Sequence, residues 1–268
     1  MSADRVTGDL EAPNRATGAG CTAARGIPFV VAIDGLAGSG KSSVSREVAT
    51  RLGFGVLDTG AVYRAFAWHA STAGVDFTDE HSVLHSFDRF DYRVNTDPAV
   101  SRVGVGERDV SHIIRTPEVT ALVARIAPVA SVRARLVQIF RDLIAREQRP
   151  GIVVEGRDIT SVVAQDAPVR ILLAASEPVR IARRTGEVVG TTAARSTVAA
   201  ALRVRDEGDA QRFSLEQPAD GIHLIDSTEL DFEQTVTAVL GVIVAARESA
   251  DPSAPHPTTA LSNPEETP

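Results

Sequence analysis

Lysine is almost missing from this chain: of 28 basic residues in 268, Lys41 alone is lysine and the rest are arginine. Cysteine is as scarce. Cys21 stands alone, which excludes an intramolecular disulfide and a cysteine metal cluster and suits a reducing, cytoplasmic compartment. Long apolar runs are missing too: the longest, near Val236 to Ala246, falls short of the roughly 20 residues a bilayer span needs. Met1 to Arg25 carries acids without an apolar run, so no export signal is expected. Positive charge is in deficit, with a formal net charge of −7 and a pI of 5.4, which disfavours nucleic acid as a partner. H-E-x-x-H, metal-spaced His or Cys groups and G-x-S-x-G do not occur, so zinc peptidase and α/β-hydrolase chemistry fall away.

What remains is a soluble globular composition, 43% apolar and 24% charged, in a chain long enough for one large domain or a core with small inserts. Residues 1–26 and 249–268 are rich in Ala, Thr, Ser, Pro and Gly with almost no large apolar side chains. They are expected to be disordered tails around a folded part at 27–248. Within it, Pro28 to Ile33, Phe54 to Leu57, Ile152 to Val154, Val169 to Leu173 and Ile222 to Ile225 read as strands. Helical patterns fall at 41–52, 60–73, 117–126, 129–147, 177–184, 196–212 and 231–247. Strands apolar on both faces and separated by helices predict an α/β fold with a parallel sheet covered on both sides. Arg89 to Val110 breaks the alternation and reads as a small β insert, and Thr185 to Ser196 as a mobile lid.

Gly35-Leu36-Ala37-Gly38-Ser39-Gly40-Lys41-Ser42, followed by Ser43, matches G-x-x-x-x-G-K-[ST] between the first strand and the first helix. Such a turn points backbone N–H groups at phosphate oxygens, with Lys41 reaching the β and γ phosphates and the Ser42 hydroxyl available to Mg²⁺. Three other segments each admit a structural and a chemical reading. Asp58-Thr59-Gly-Ala-Val-Tyr63-Arg64 is either a capped helix start or the carrier of an arginine aimed at a second phosphate group. Glu155-Gly-Arg157-Asp158 ends a strand: a turn ion pair, or an acid near the Mg²⁺ water shell followed by two residues facing an acceptor. Arg205, Asp209 and Arg212 share one helical face, as a surface salt-bridge ladder or a phosphate clamp, and Arg180, Arg183 and Arg184 allow the same two readings.

In this order the motifs resemble the bacterial cytidylate (CMP/dCMP) kinases, a group of P-loop nucleoside monophosphate kinases, over roughly residues 28–247. The blocks that carry the resemblance include Glu107-Arg-Asp-Val-Ser111, Ile114-Arg115-Thr116, Val132-Arg133, Asp166-Ala-Pro-Val169 and Ile225-Asp-Ser-Thr228 besides those above. It implies a five-stranded parallel P-loop core, a β insert in a monophosphate-binding region at about 84–118 and a short lid at about 180–212. It further implies that Arg64, Arg157 and Arg212 clamp the CMP phosphate, that Arg205 and Asp209 lie near the sugar, and that Arg133 and Asp158 read cytosine. ATP with Mg²⁺ would be the phosphoryl donor, CMP or dCMP the acceptor, and the protein a monomer. Ala124 stands where members often carry serine, and Thr160-Ser161 where Gly-Thr is common. Two other readings remain: a P-loop kinase of another small acceptor such as a sugar acid or shikimate, and a nucleotide-binding regulator with impaired catalysis.

Overall fold

The apolar runs form strands of one sheet, and the P-loop strand lies at its centre. In the computed structural model, residues 28–100, 102–187, 199–200, 203 and 219–250 are described. Their order is β1 (Phe29–Asp34), α1 (Lys41–Leu52), β2 (Gly55–Asp58), α2 (Thr59–Thr72), α3 (Glu80–His85), β3 (Tyr92–Val94), β4 (Val103–Val105), β5 (Arg108–Asp109), α4 (Pro117–Ile126), α5 (Ala130–Ala145), β6 (Gly151–Gly156), β7 (Val169–Ala174), α6 (Glu177–Glu187), β8 (His223–Asp226) and α7 (Phe232–Ala250). Five strands pair in parallel in the order β2-β6-β1-β7-β8.

Because side chains alternate across a strand, each run supplies two cores. Val31 and Ile33 join Val153, Val169, Ile171 and Leu173 on the face covered by α1 and α7. Val30 and Ala32 join Leu57, Ile152 and Val154 on the opposite face, under α2, α4 and α5. Each fully buried Val, Leu or Ile is worth about 1.5–3 kcal/mol of transfer free energy. Polar residues on either face of these strands would forfeit it, which is why the runs are near-continuous. Register then aligns the carboxyl ends of the strands. Asp34 sits opposite Gly156 and Leu172, Ile33 opposite Glu155, and Asp58 opposite Glu155. Three acidic residues from distant parts of the chain therefore share one sheet edge.

The segment that broke the alternation forms a separate antiparallel sheet, β3-β4-β5, resting on α2 through an aromatic cluster in which Phe66 and Phe87 stack at 3.7 Å. Here the structure adds elements: α3, capped by Asp79 accepting from His81 N, and strand β5. Six and two residues are too short for a periodic signal. Strand β8 runs one residue later than expected, and α7 continues to Ala250, two residues into the expected tail. The helix predicted at 196–212 and the expected tails lie almost wholly outside the described residues, and Cys21 lies there entirely.

Candidate functional site

Between β1 and α1 the chain turns through Gly38 (φ 79°) and Gly40 (φ 93°), left-handed conformations that glycine adopts without steric cost. Gly35 is fixed by space instead: a Cβ there would lie 2.3 Å from Leu173 O. Gly40 is the N-cap of α1 and offers no side-chain acceptor to the helix, so the first-turn N–H groups remain available to an anion. Lys41 folds back over this turn, Nζ donating to Leu36 O at 3.0 Å. Burial, helped by the nearby Arg157 cation and opposed by Glu155, Asp34 and Asp58, lowers the lysine to about 8. Ser42, on the exposed side, donates to Glu155 Oε1 at 2.5 Å. The Glu155 carboxyl is buried, and burial together with Asp58 pushes it above the usual carboxylate range, against Lys41 and the Ser42 bond.

The neighbouring strand ends carry the arginines. Asp58 caps α2 by accepting from Ala61 N at 2.8 Å, while its other oxygen faces Arg64 at 3.1 Å and Arg115 at 4.0 Å. Capping and arginine positioning are thus the work of one carboxylate. Arg64 Nε is buried and has no hydrogen-bond partner among the described residues. Thr59 Oγ1 donates to Glu155 O at 2.8 Å, binding the start of α2 to β6. One turn beyond Glu155, Asp158 pairs with Arg133 of α5 at 2.7 Å, and the bond to Asp158 raises Arg133 further, with Tyr63 contributing. Asp158 therefore pairs across elements, from the end of β6 to α5.

On the other flank, α6 sends two arginines into the turn. Arg180 is buried, its Nε donating to Ala175 O and its Nη1 to Ala37 O, both at 3.1 Å. Arg183 donates to Ser39 O at 3.0 Å, to Ser227 Oγ at 3.0 Å and O at 2.8 Å, and to Leu230 O at 3.3 Å. Both reach backbone carbonyls of the turn, Ala37 O and Ser39 O. They hold the carbonyl side of the glycine turn, leaving its N–H groups for a ligand.

The sequence profile named for cytidylate kinase matches residues 31–245, most of the chain. The chain belongs to the cytidylate kinase family. A cytidylate kinase from Cutibacterium acnes is 39% identical over 217 residues, which cover 81% of this chain and 96% of that protein. Those from Streptomyces avermitilis and Rhodococcus jostii are each 40% identical, covering 84% and 83% of this chain and 97% of each relative.

Within this family member, the predicted residues Gly35 to Ser42, Asp58, Thr59, Arg64, Glu155 and Arg157 meet at one sheet edge, and Tyr63, Arg133 and Asp158 form a group beside them. Ser43 is exposed on the first turn of α1. Arg205, Asp209 and Arg212 lie outside the described residues. Sequence reasoning gave no role to Arg115, Asp34 or Thr160. Arg115 reaches Asp58, and Thr160 is buried against Asp34. A signal existed for Asp34: an acid ending an apolar strand directly before a glycine turn is buried by its neighbours and must find donors.

Proposed function

We propose that this protein transfers the γ-phosphoryl group of ATP to the phosphate of CMP or dCMP, with the donor phosphates in the Gly35 to Ser42 turn and the acceptor beside Arg64, Arg157 and the Arg133–Asp158 pair. The observation that carries this reading is the shared register of Asp34, Asp58 and Glu155, which gathers a phosphate-binding turn and a second set of cations at one edge of the sheet. In open α/β sheets that edge is where ligands bind.

Lys41 is charged at neutral pH, and anionic phosphates entering the turn favour that charge and draw Nζ away from Leu36 O. Arg64, with its buried Nε unpartnered among the described residues, supplies a donor fitted to a monophosphate oxygen. The acceptor oxygen is already anionic at neutral pH, so the site needs no strong general base; positioning and charge stabilisation supply the rate. Asp158, oriented by Arg133, accepts from the amino group of cytosine, whereas uracil offers a carbonyl there and is refused. Arg212 would complete the phosphate clamp, with Arg205 and Asp209 at the sugar and the expected lid, beyond the Arg180 and Arg183 anchors of α6, closing to exclude water.

Magnesium fits the donor set. Ser42 Oγ uses its proton on Glu155 and keeps lone pairs for a hard cation, with the buried Glu155 carboxylate behind it. When bound there, Mg²⁺ would supply charge neutralisation at the β and γ phosphates. No helix among the described residues is long and apolar enough to cross a membrane, and a cytoplasmic monomer without nucleic-acid partners is the accompanying proposal.

A coupled ADP-release assay with ATP, Mg²⁺ and CMP, dCMP, UMP, AMP, GMP and dTMP, with products confirmed by chromatography, tests the reading. Turnover led by CMP and dCMP is the expected result. Failure with every monophosphate, despite ATP binding, would return the other acceptors and the regulator to the front.

A further inference from the structure

Asp34 closes β1 immediately before the glycine turn, yet its carboxylate does not face that turn. It is almost fully buried, with 2% of its surface exposed, and both oxygens are directed to the segment after Asp158. Oδ1 accepts from Ile159 N at 2.9 Å; Oδ2 accepts from Thr160 N at 2.8 Å and from Thr160 Oγ1 at 2.7 Å. Thr160 is itself buried at 4% exposure.

The place of these bonds matters. Ile159 N belongs to the peptide group that follows Asp158, so Asp34 grips the backbone directly beside the residue paired with Arg133. From Asp158 the chain enters a wide turn at Ile159–Val163, in which Val162 N and Val163 N both donate to Asp158 O. The Asp158 backbone is consequently fixed on one side by its own turn and on the other by the P-loop strand. Asp34 also lies within electrostatic range of Lys41. One buried carboxylate thus spans the donor turn and the acceptor segment.

A buried carboxylate with few donors is costly and finds other positions; with three donors it is held in one orientation. Two of the donors are backbone N–H groups, present whatever residue 160 is. The third exists only because residue 160 carries a hydroxyl. We propose that Thr160, through its hydroxyl bond to Asp34, is a positioning residue that sets Asp158 for recognition of the pyrimidine base, without touching substrate itself. This rests on the proposed base-reading role of Asp158.

The experiment compares Thr160→Val, which keeps the shape and removes the donor, with Thr160→Ser, which keeps the donor, and with Asp158→Asn. For each full-length variant, KM for CMP, KM for ATP, kcat, the ratio of kcat/KM for CMP to that for UMP, and Tm are measured. Thr160→Val is expected to raise KM for CMP and narrow the CMP:UMP ratio by about tenfold each, leaving KM for ATP within about twofold, while Thr160→Ser stays near wild type. In the Asp158→Asn background, Thr160→Val should narrow the ratio no further. If Asp158→Asn narrows the ratio but Thr160→Val does not, or if Thr160→Val moves only Tm, the positioning role is wrong and the base-reading role survives. If Asp158→Asn itself keeps the wild-type ratio, both fail.

Discussion

Ser42 Oγ and Glu155 Oε1 lie 2.5 Å apart across 113 residues of chain. The β1–β6 register delivers this: Ile33 lies opposite Glu155, so the turn leaving β1 reaches the end of β6 within one helical turn. Ser42→Ala removes the proposed Mg²⁺ ligand and also the hydroxyl that favours ionised Glu155. The variant should lose about 10–100-fold in kcat and require more Mg²⁺ for half-maximal rate. A kinetic titration of Mg²⁺ reads both, and an unchanged Mg²⁺ dependence would remove Ser42 from the metal site.

Lys41 supplies a pH dependence. With its free-state value lowered to about 8 by burial and by Arg157, kcat/KM for ATP should fall about tenfold per pH unit above that point, while kcat, governed by the phosphate-bound state, holds to higher pH. The sign for stability is opposite. Below about 8 the lysine is charged in both folded and unfolded chains; between about 8 and the ordinary 10.5 the unfolded chain binds the proton the native one has lost. The contribution of this group therefore improves as pH rises through that window. Lys41→Met should lower kcat by at least about 100-fold, flatten this part of the stability profile and cost little stability at pH 7. Denaturant melts at pH 7 and 9 beside the rate profile check all three, and wild-type turnover by Lys41→Met would sink the phosphate-turn assignment.

Arg183 ties two segments with one planar cation: the glycine turn at Ser39 and the turn after β8 at Ser227 and Leu230. An ammonium cannot reproduce that fork. Arg183→Lys is expected to raise KM for ATP about tenfold and to lower Tm by about 2–8 °C, leaving KM for CMP unchanged. Equal effects on both Michaelis constants would show that the clamp serves the whole edge and not the donor turn.

The strands and the phosphate-binding turn were legible because their signals are local: paired apolar faces, and glycines beside a lysine at fixed spacing. The Arg133–Asp158 pair came from family resemblance, since nothing in the spacing of two residues 25 apart predicts a 2.7 Å contact. Arg180 and Arg183 were visible as arginines but not as carbonyl clamps. Their partners Ala37 and Ser39 are backbone groups with no side-chain signature. Asp34 and Thr160 escaped for a related reason, because a buried acid's donors are chosen by tertiary register. Short elements such as α3 and β5 owe their form to packing on α5 and β4 more than to their own propensity.

The placement of β1 also governs how the chain is made. It ends at Asp34, while the strands that flank it begin at Gly151 and Val169. During synthesis both of its hydrogen-bonding edges stay unpaired until those segments leave the ribosome, on the order of ten seconds at 5–20 residues per second. Its apolar side chains can shelter on α1 in the meantime, but its backbone cannot be satisfied by any earlier strand. A polypeptide interrupted before Val169 presents an open edge of the future sheet centre to other unfinished chains. The arrangement that puts the phosphate turn at the middle of the enzyme leaves the central strand of the nascent protein unpaired until β6 and β7 have been made.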